Sequence, residues 1–119
     1  MKALSLKQPW AELIVNGKKV IETRKWRTKF RGQFFVHSSN NKTSLNYAGE
    51  LGLKDLEFGK LIGKAELVDV KEYKNQEDFG KDYDKHFAKG FVKYGFILKN
   101  AKRINPIPLK GKLNFFEVK

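Results

Sequence analysis

The sequence predicts an α+β domain built on a small, largely antiparallel β-barrel with short helices beside it. Several short segments alternate apolar and polar side chains, which is typical of strands with one buried face. Helical spacing is confined to short segments, and the regular strand–helix–strand spacing of a parallel sheet is absent. No internal repeat or linker divides the 119 residues. We therefore expect a single domain over residues 1–119.

The first helix is predicted over Pro9–Val15, directly after a short strand at Leu4–Leu6. Proline suits the first helical position, where its missing N–H has no partner to lose. Apolar residues follow at helical spacing from Trp10, and they form one stripe for the core. Gly17 is expected to end the helix in the left-handed conformation that glycine adopts most easily.

The other elements follow from the same two periodicities. The predicted strands are Val20–Trp26, Gln33–Ser38, Leu61–Tyr73, Tyr94–Lys99 and Leu113–Val118. Helices are expected at Tyr47–Leu56, which two glycines weaken, and at Gln76–Phe87, where aromatic residues recur every four positions. The basic segment Arg27–Arg31 and the proline-containing segment Ala101–Gly111 are predicted to connect strands.

Composition excludes several classes of protein. The chain has no cysteine and two histidines, so a disulfide scaffold, a cysteine-ligated zinc or iron–sulfur site and a cysteine nucleophile are ruled out. Phosphate-loop, dinucleotide-binding and metalloprotease motifs are absent, and we expect no metal and no cofactor. No apolar stretch resembles a signal peptide or a membrane span. We expect a cytoplasmic protein without membrane association.

The net charge of +12 points to a polyanionic partner. Basic residues alternate with Trp26 and Phe30 between positions 25 and 31, a pattern that suits the backbone and bases of a nucleic acid. RNA or another nucleic acid is therefore the expected partner. A lysine-rich surface that only maintains solubility would have a similar composition.

Gly17–Arg24 is the most informative segment. Glu22 and Arg24 share one face of the predicted strand with Val20 and Trp26, so we expect this face to be partly buried. A buried carboxylate requires a cation, which Arg24 or Lys19 can supply. These residues are predicted to line a polar pocket with Glu22 ionised, although a solvated surface strand would show the same pattern.

The segment reads Gly17-x-Lys19-x-x-Glu22-x-Arg24 and resembles the signature of the ASCH domain family in the PUA-like superfamily. Residues 4–11, 35–39, 94–98, 107–112 and 116–118 resemble the flanking parts of such domains. The resemblance implies a PUA-like barrel with a cleft beside the signature strand, and a role in handling RNA. It also implies a rival activity, because one branch resembles amidohydrolases that remove the acyl group of N4-acetylcytidine.

In that branch the signature lysine acts as the base and a threonine replaces the glutamate as nucleophile. This chain has Glu22 there, and strand alternation predicts that Thr23 faces the other way. The mechanism of the branch therefore does not transfer intact. If the protein is an enzyme acting on a nucleoside-like small molecule or a nucleic acid, its catalytic residues are expected to be Lys19, Glu22 and Arg24.

As a binding module, the protein is expected to hold an unpaired or modified base in the cleft and phosphates on a basic rim. Tryptophans would stack on the base, and His37 would read its edge. The expected binding residues are Lys7, Gln8, Trp10, Lys19, Glu22, Arg24, Trp26, Arg27, His37, Ser38, Arg103 and Lys110. Protein partners and oligomeric state are not predicted.

Overall fold

The computed structural model describes residues 1–119 and contains six strands and four short helices. In chain order these are β1 (Lys2–Leu6), α1 (Trp10–Val15), β2 (Ile21–Arg24), β3 (Gly32–Ser38), α2 (Tyr47–Glu50), β4 (Lys60–Glu72), α3 (Gln76–Gly80), α4 (Tyr83–His86), β5 (Tyr94–Pro108) and β6 (Phe115–Glu117). None of the helices is long and apolar enough to cross a membrane.

All six strands form one sheet in the order β2-β5-β4-β3-β1-β6. The β1–β3 pair is parallel, and the other four pairs are antiparallel. The sheet curls so strongly that Phe96 of β5 stacks on Phe115 of β6, with ring centroids 6.2 Å apart. These two strands are separated by three others in the sheet. The predicted small α+β barrel-like fold is confirmed as a curled half-barrel.

The core fills the concave side of this half-barrel. Leu4, Phe34, Val36, Leu67 and Phe96 belong to a cluster of twelve buried residues that also takes in the apolar face of α1. Trp26 closes the cluster, with its ring edge-on to Phe96 at 5.2 Å between centroids. Burial of this apolar surface is the main stabilising contribution to the fold.

Close packing between α1 and the sheet depends on one glycine. A Cβ on Gly63 of β4 would lie 1.8 Å from Cγ1 of Val15 and 2.5 Å from the backbone oxygen of Lys102. Only a residue without a side chain lets the helix approach this strand so closely.

Three predicted elements differ most from the observed ones. The helix predicted at 47–56 is the four-residue α2, since Gly49 and Gly52 favour other conformations and Gly52 takes a φ of +68°. The helix predicted at 76–87 is broken into α3 and α4. The segment 101–111, expected to be a connection, instead extends β5 as far as Pro108.

Prolines are compatible with β5 because this part of the strand is at an edge. β2 pairs only with residues 94–97 of β5, so the following residues have β4 on one side and no strand on the other. The N–H of Leu109 donates to Gly59 on the β4 side. Alternation then places the nitrogens of Pro106 and Pro108 at the free edge, where no strand partner needs an N–H.

Candidate functional site

The site is centred on the buried carboxylate of Glu22, which is 8% exposed. Its Oε2 accepts a hydrogen bond of 2.7 Å from Nε of Arg24, and its Oε1 lies 3.4 Å from Nζ of Lys19. Two cations thus hold one carboxylate inside the protein. This geometry matches the expectation that Glu22 is tied to a basic partner, and the third group beside the Glu22–Arg24 pair is Lys19.

The pKa values of the buried groups respond in different ways to this arrangement. Burial lowers the pKa of the Lys19 ammonium more than the attraction of Glu22 raises it. Burial also pushes the pKa of the Glu22 carboxyl upward, but the charges and hydrogen bonds of Arg24 and Lys19 outweigh that effect. The pKa of Glu22 therefore lies below its usual range, and the carboxylate is ionised at neutral pH.

The side chain of Lys19 links β2 to the helix α4 through hydrogen bonds. Its Nζ donates to the backbone oxygens of Ile21 at 2.8 Å and of His86 at 2.6 Å, and the side chain is 3% exposed. The N–H of Val20 donates to the backbone oxygen of Lys85, which adds a second link to α4. Lys19 therefore holds α4 in place as one wall of the site, and it also contributes to the charge of the site.

His86 is part of this wall, although it lies in a segment rich in lysine and aspartate. It is 0% exposed, and its ring stacks on Phe79 at 4.1 Å. Its Nε2 donates to the backbone oxygen of Phe79, and its Nδ1 accepts from the N–H of Ala88. Burial lowers the pKa of His86, so the ring is neutral at pH 7. No local pattern of this lysine-rich segment indicates that His86 is buried.

The same wall is anchored to the end of β4 by Asp82. Its Oδ2 accepts hydrogen bonds from the Tyr73 hydroxyl at 2.7 Å and from Nζ of Lys71 at 2.8 Å. Burial would raise the pKa of Asp82, but these two hydrogen bonds and the charges of Lys71 and Lys85 hold it below its usual range. The segment around α4 is therefore fixed to both β2 and β4.

Arg24 bridges the opening of the half-barrel. Besides its bond to Glu22, its Nη2 donates to the backbone oxygen of Ser5 on β1 at 3.0 Å. β2 and β1 are far apart in the sheet order, so this bond joins the two sides of the opening. Nη1 of Arg24 donates to no protein group, which leaves it available to an anion.

Three adjoining cavities form one groove beside these residues. The inner cavity, about 350 Å³, is lined by Lys19, Glu22 and side chains of α1, α2 and α4. The middle cavity, about 520 Å³, is lined by Lys7, Arg24 and Trp26 and shares Trp10, Glu22 and Thr23 with the inner one. The outer cavity, about 710 Å³, shares Lys112 and four other residues with the middle one.

The exposed cations of the groove have no acidic partner. Five exposed lysines line the three cavities, namely Lys7, Lys25, Lys89, Lys110 and Lys112. None of them forms an ion pair within 4 Å. The groove therefore has a row of uncompensated positive charges at its rim.

Several residues expected to bind a ligand are instead used inside the fold. Gln8 is fully buried, donates to the backbone oxygen of Glu57 and accepts from the N–H of Glu12. Ser38 is also buried, and its hydroxyl donates to the backbone oxygen of Lys60. Both side chains are buried and bonded to the backbone within the fold, which gives them structural roles in this structure.

His37 lies under the outer cavity but has no free ring nitrogen. Its Nε2 lies 2.6 Å from the backbone oxygen of Leu109, and its Nδ1 lies 2.9 Å from Oγ of Ser5. A carbonyl can only accept, so Nε2 carries the proton and Nδ1 accepts from the Ser5 hydroxyl. Both ring nitrogens of His37 are thus bonded within the fold, so neither is free to read the edge of a base in this structure.

Two of the predicted arginines lie outside the groove. Arg103 forms a bidentate ion pair with Glu12 of α1, which joins that helix to β5. Arg27 is exposed, with its guanidinium 5.7 Å from the ring centre of Tyr94. Neither lines any of the three cavities, so Arg103 is better explained as a link between elements than as a phosphate contact.

The surroundings of the signature strand also differ from the expectation. Val20 is exposed and does not bury Glu22, which is covered by the neighbouring cations instead. Thr23 lines the inner and middle cavities together with Glu22, although alternation places the two side chains on opposite faces. The reason is that β2 is an edge strand, so the groove reaches around its free edge.

The curled half-barrel and the groove beside its edge strand define a small barrel-type domain with a charged recess. The sequence profile of the ASCH domain matches residues 4–108. The chain is 32% identical to mouse and 33% identical to human Activating signal cointegrator 1, over 91% of its own length. It spans about a fifth of the length of those relatives. This chain belongs to the ASCH domain family.

Solved structures show the same fold. The ASCH protein from Zymomonas mobilis superposes with a TM-score of 0.73 over 99% of this chain and 87% of that one, at 16% identity. Its Y47F mutant gives a TM-score of 0.72 with 99% and 89% coverage, again at 16% identity. In this chain, no group of three or more acidic or histidine side chains is placed to hold a metal ion.

Proposed function

We propose that this protein is a single-stranded RNA-binding module. The row of unpaired lysines along a continuous groove is the observation that carries the proposal. The phosphates of a bound strand would meet lysines that form no ion pair with a carboxylate. Such contacts gain free energy by releasing counterions from the nucleic acid.

Arg24 supplies a fixed phosphate contact in the middle of the groove. Glu22 and the Ser5 carbonyl already hold its guanidinium in one orientation, and Nη1 remains free. A preoriented donor loses little side-chain entropy when it binds an anion. Lys7 and Lys25 line the same cavity and would contact the neighbouring phosphates.

The inner cavity offers a place for one unpaired base. Aromatic residues line it from different elements, with Trp10 and Tyr47 contributed by α1 and α2, and Tyr83 and Phe87 by the α4 region. Its volume of about 350 Å³ lies near the lower end for small-ligand sites, which run from roughly 300 to 1,000 Å³. Aromatic faces stack on bases of any sequence.

The test is fluorescence anisotropy with a labelled single-stranded RNA over a series of salt concentrations. The affinity is expected to fall steeply with salt, and a Lys7→Ala/Lys112→Ala variant should lower the slope of log K against log salt by about 1 to 2. The matched control is Lys99→Ala/Lys102→Ala, which removes the same charge from exposed positions on β5 outside the groove.

Two results would contradict the proposal. One is a salt-independent affinity, or no binding at low salt. The other is an equal loss in the groove variant and the β5 variant, because this would mean that net charge alone attracts the RNA.

The rival function is hydrolysis of an acylated nucleoside such as N4-acetylcytidine, in which water would cleave the amide to release cytidine and acetate. The lowered pKa of Lys19 favours it, because a neutral amine is the form that can accept a proton. The three acceptors around Nζ oppose it, because they stabilise the ammonium. Chromatography of N4-acetylcytidine after incubation decides between the two, provided that any turnover is lost in Lys19→Ala and Glu22→Ala.

A further inference from the structure

Glu50 is an unusual residue in the groove. It is exposed, lines the inner cavity and forms no ion pair, although the protein carries a net charge of +12. The other carboxylate of that cavity, Glu22, is already held by Arg24 and Lys19. A free carboxylate repels phosphates, so its presence beside a nucleic-acid track weakens general binding. It contributes favourably to binding when it accepts hydrogen bonds from a ligand.

Lys89 lines the same cavity and is also unpaired. Lys89 and Glu50 do not contact each other within 4 Å, so one free cation and one free anion face the same space. A ligand that complements both must present hydrogen-bond donors to the carboxylate and an acceptor to the ammonium.

Of the four RNA bases, guanine has this pattern on one edge. Its N1–H and N2 amine are adjacent donors that match the two oxygens of a carboxylate, and O6 beside them accepts from an ammonium. Cytosine and adenine present a single exocyclic amine next to ring acceptors. Uracil has one N–H between two carbonyl oxygens. Only guanine can therefore form a bidentate pair of hydrogen bonds with a carboxylate through its Watson–Crick edge.

We propose that the inner cavity selects an unpaired guanine. Glu50 would accept from N1–H and the N2 amine, Lys89 would donate to O6, and the ring would stack on the aromatic side chains of the cavity. This inference rests on the proposed RNA binding and adds the identity of the base. Hydrogen bonds to a charged group discriminate more strongly than neutral ones, so the preference should be about tenfold or more.

The experiment measures the affinity of the full chain for five labelled pentamers, UUGUU, UUIUU, UUAUU, UUCUU and UUUUU, at about 50 mM salt, where phosphate contacts are strong. The guanine pentamer should bind about tenfold more tightly than the uracil pentamer. Inosine lacks the N2 amine and should lose most of that advantage. The Glu50→Gln variant should bring the guanine-to-uracil ratio close to one, while its affinity for UUUUU rises because a negative charge is gone.

Glu77→Gln is the matched control, since Glu77 is an exposed acid on α3 that does not line the groove. It should shift all five affinities together and preserve the ratio. Salt-sensitive binding with equal affinities, or with adenine or cytosine preferred, would overturn the guanine assignment and leave the RNA-binding proposal standing. A guanine preference that survives Glu50→Gln would also overturn it. No binding to any pentamer would overturn both proposals.

Discussion

Nζ of Lys19 lies 2.6 Å from the backbone oxygen of His86, 67 residues further along the chain. This hydrogen bond joins the edge strand β2 to the wall made by α4, and the inner cavity lies beside it. Because the same ammonium also neutralises Glu22, the charge of the site and the shape of its wall depend on one side chain.

Replacing Lys19 by methionine should destabilise the protein by about 3 kcal/mol, because it leaves buried acceptors and part of the Glu22 charge without a partner. Urea denaturation followed by circular dichroism measures the loss. Lys18→Met is the control, since Lys18 is the exposed neighbour and its side chain forms no ion pair. If the free energies of unfolding of the two variants differ by less than about 1 kcal/mol, Lys19 does not link β2 to α4 as described, because such a loss is usual for surface changes.

Acidification should weaken the fold from the pH region where histidine titrates. The pKa of His86 is lowered in the folded protein, so the unfolded chain takes up its proton first. The stabilisation is therefore complete above about pH 6.5 and is lost as the pH falls towards the folded pKa, with a slope of at most about 1.4 kcal/mol per pH unit for one proton. Urea midpoints between about pH 7 and 5 measure it.

In the His86→Gln variant, the free energy of unfolding should change less steeply with pH over this range than in the natural sequence, whatever the variant's stability at pH 7. Unchanged slopes would mean that His86 does not bind its proton more weakly in the fold. Below about pH 4.5, protonation of Glu22 and Asp82 should add a second decline, because both pKa values are lowered in the folded state.

A methyl group at Gly63 should be poorly tolerated. The Cβ of Gly63→Ala would overlap Val15 and the Lys102 backbone, and overpacking of this kind costs about 1–3 kcal/mol or more. Gly49→Ala adds the same methyl group in open space within α2, where alanine favours the helix by about 0.5–1 kcal/mol. Thermal melts of the two variants should therefore shift in opposite directions, and equal shifts would refute the close contact.

Stacking of an RNA base in the inner cavity should depend on the ring of Tyr83. Tyr83→Leu keeps an apolar side chain but removes the ring, and the loss of a stacked base costs about 1 kcal/mol or more, which is at least fivefold in affinity for single-stranded RNA. Phe91→Leu is the matched control, because Phe91 is 41% exposed against 42% for Tyr83 and does not line the groove. Equal affinities of the two variants in anisotropy titrations would contradict stacking at Tyr83.

The sequence alone determined the class of fold and the central ionic group. Strand alternation and the short helical segments are local patterns, so they identified β1, β3, β4 and α1 with small errors at the ends. The spacing of Lys19, Glu22 and Arg24 was sufficient to predict a carboxylate with a basic partner, because neighbours on one strand are close in any fold.

Tertiary structure decided what lies around that group. His86 and Asp82 became buried because α4 packs on β2 and Asp82 is held by Lys71 and Tyr73 at the end of β4. No local pattern of the lysine-rich segment 81–89 shows these contacts. His37, Gln8 and Ser38 each donate to a backbone oxygen that is distant in sequence. The length of β5 depended on a free edge that tolerates prolines. In each case the deciding interaction joins residues far apart in the chain, so only the folded arrangement determines whether a polar side chain is available to a ligand.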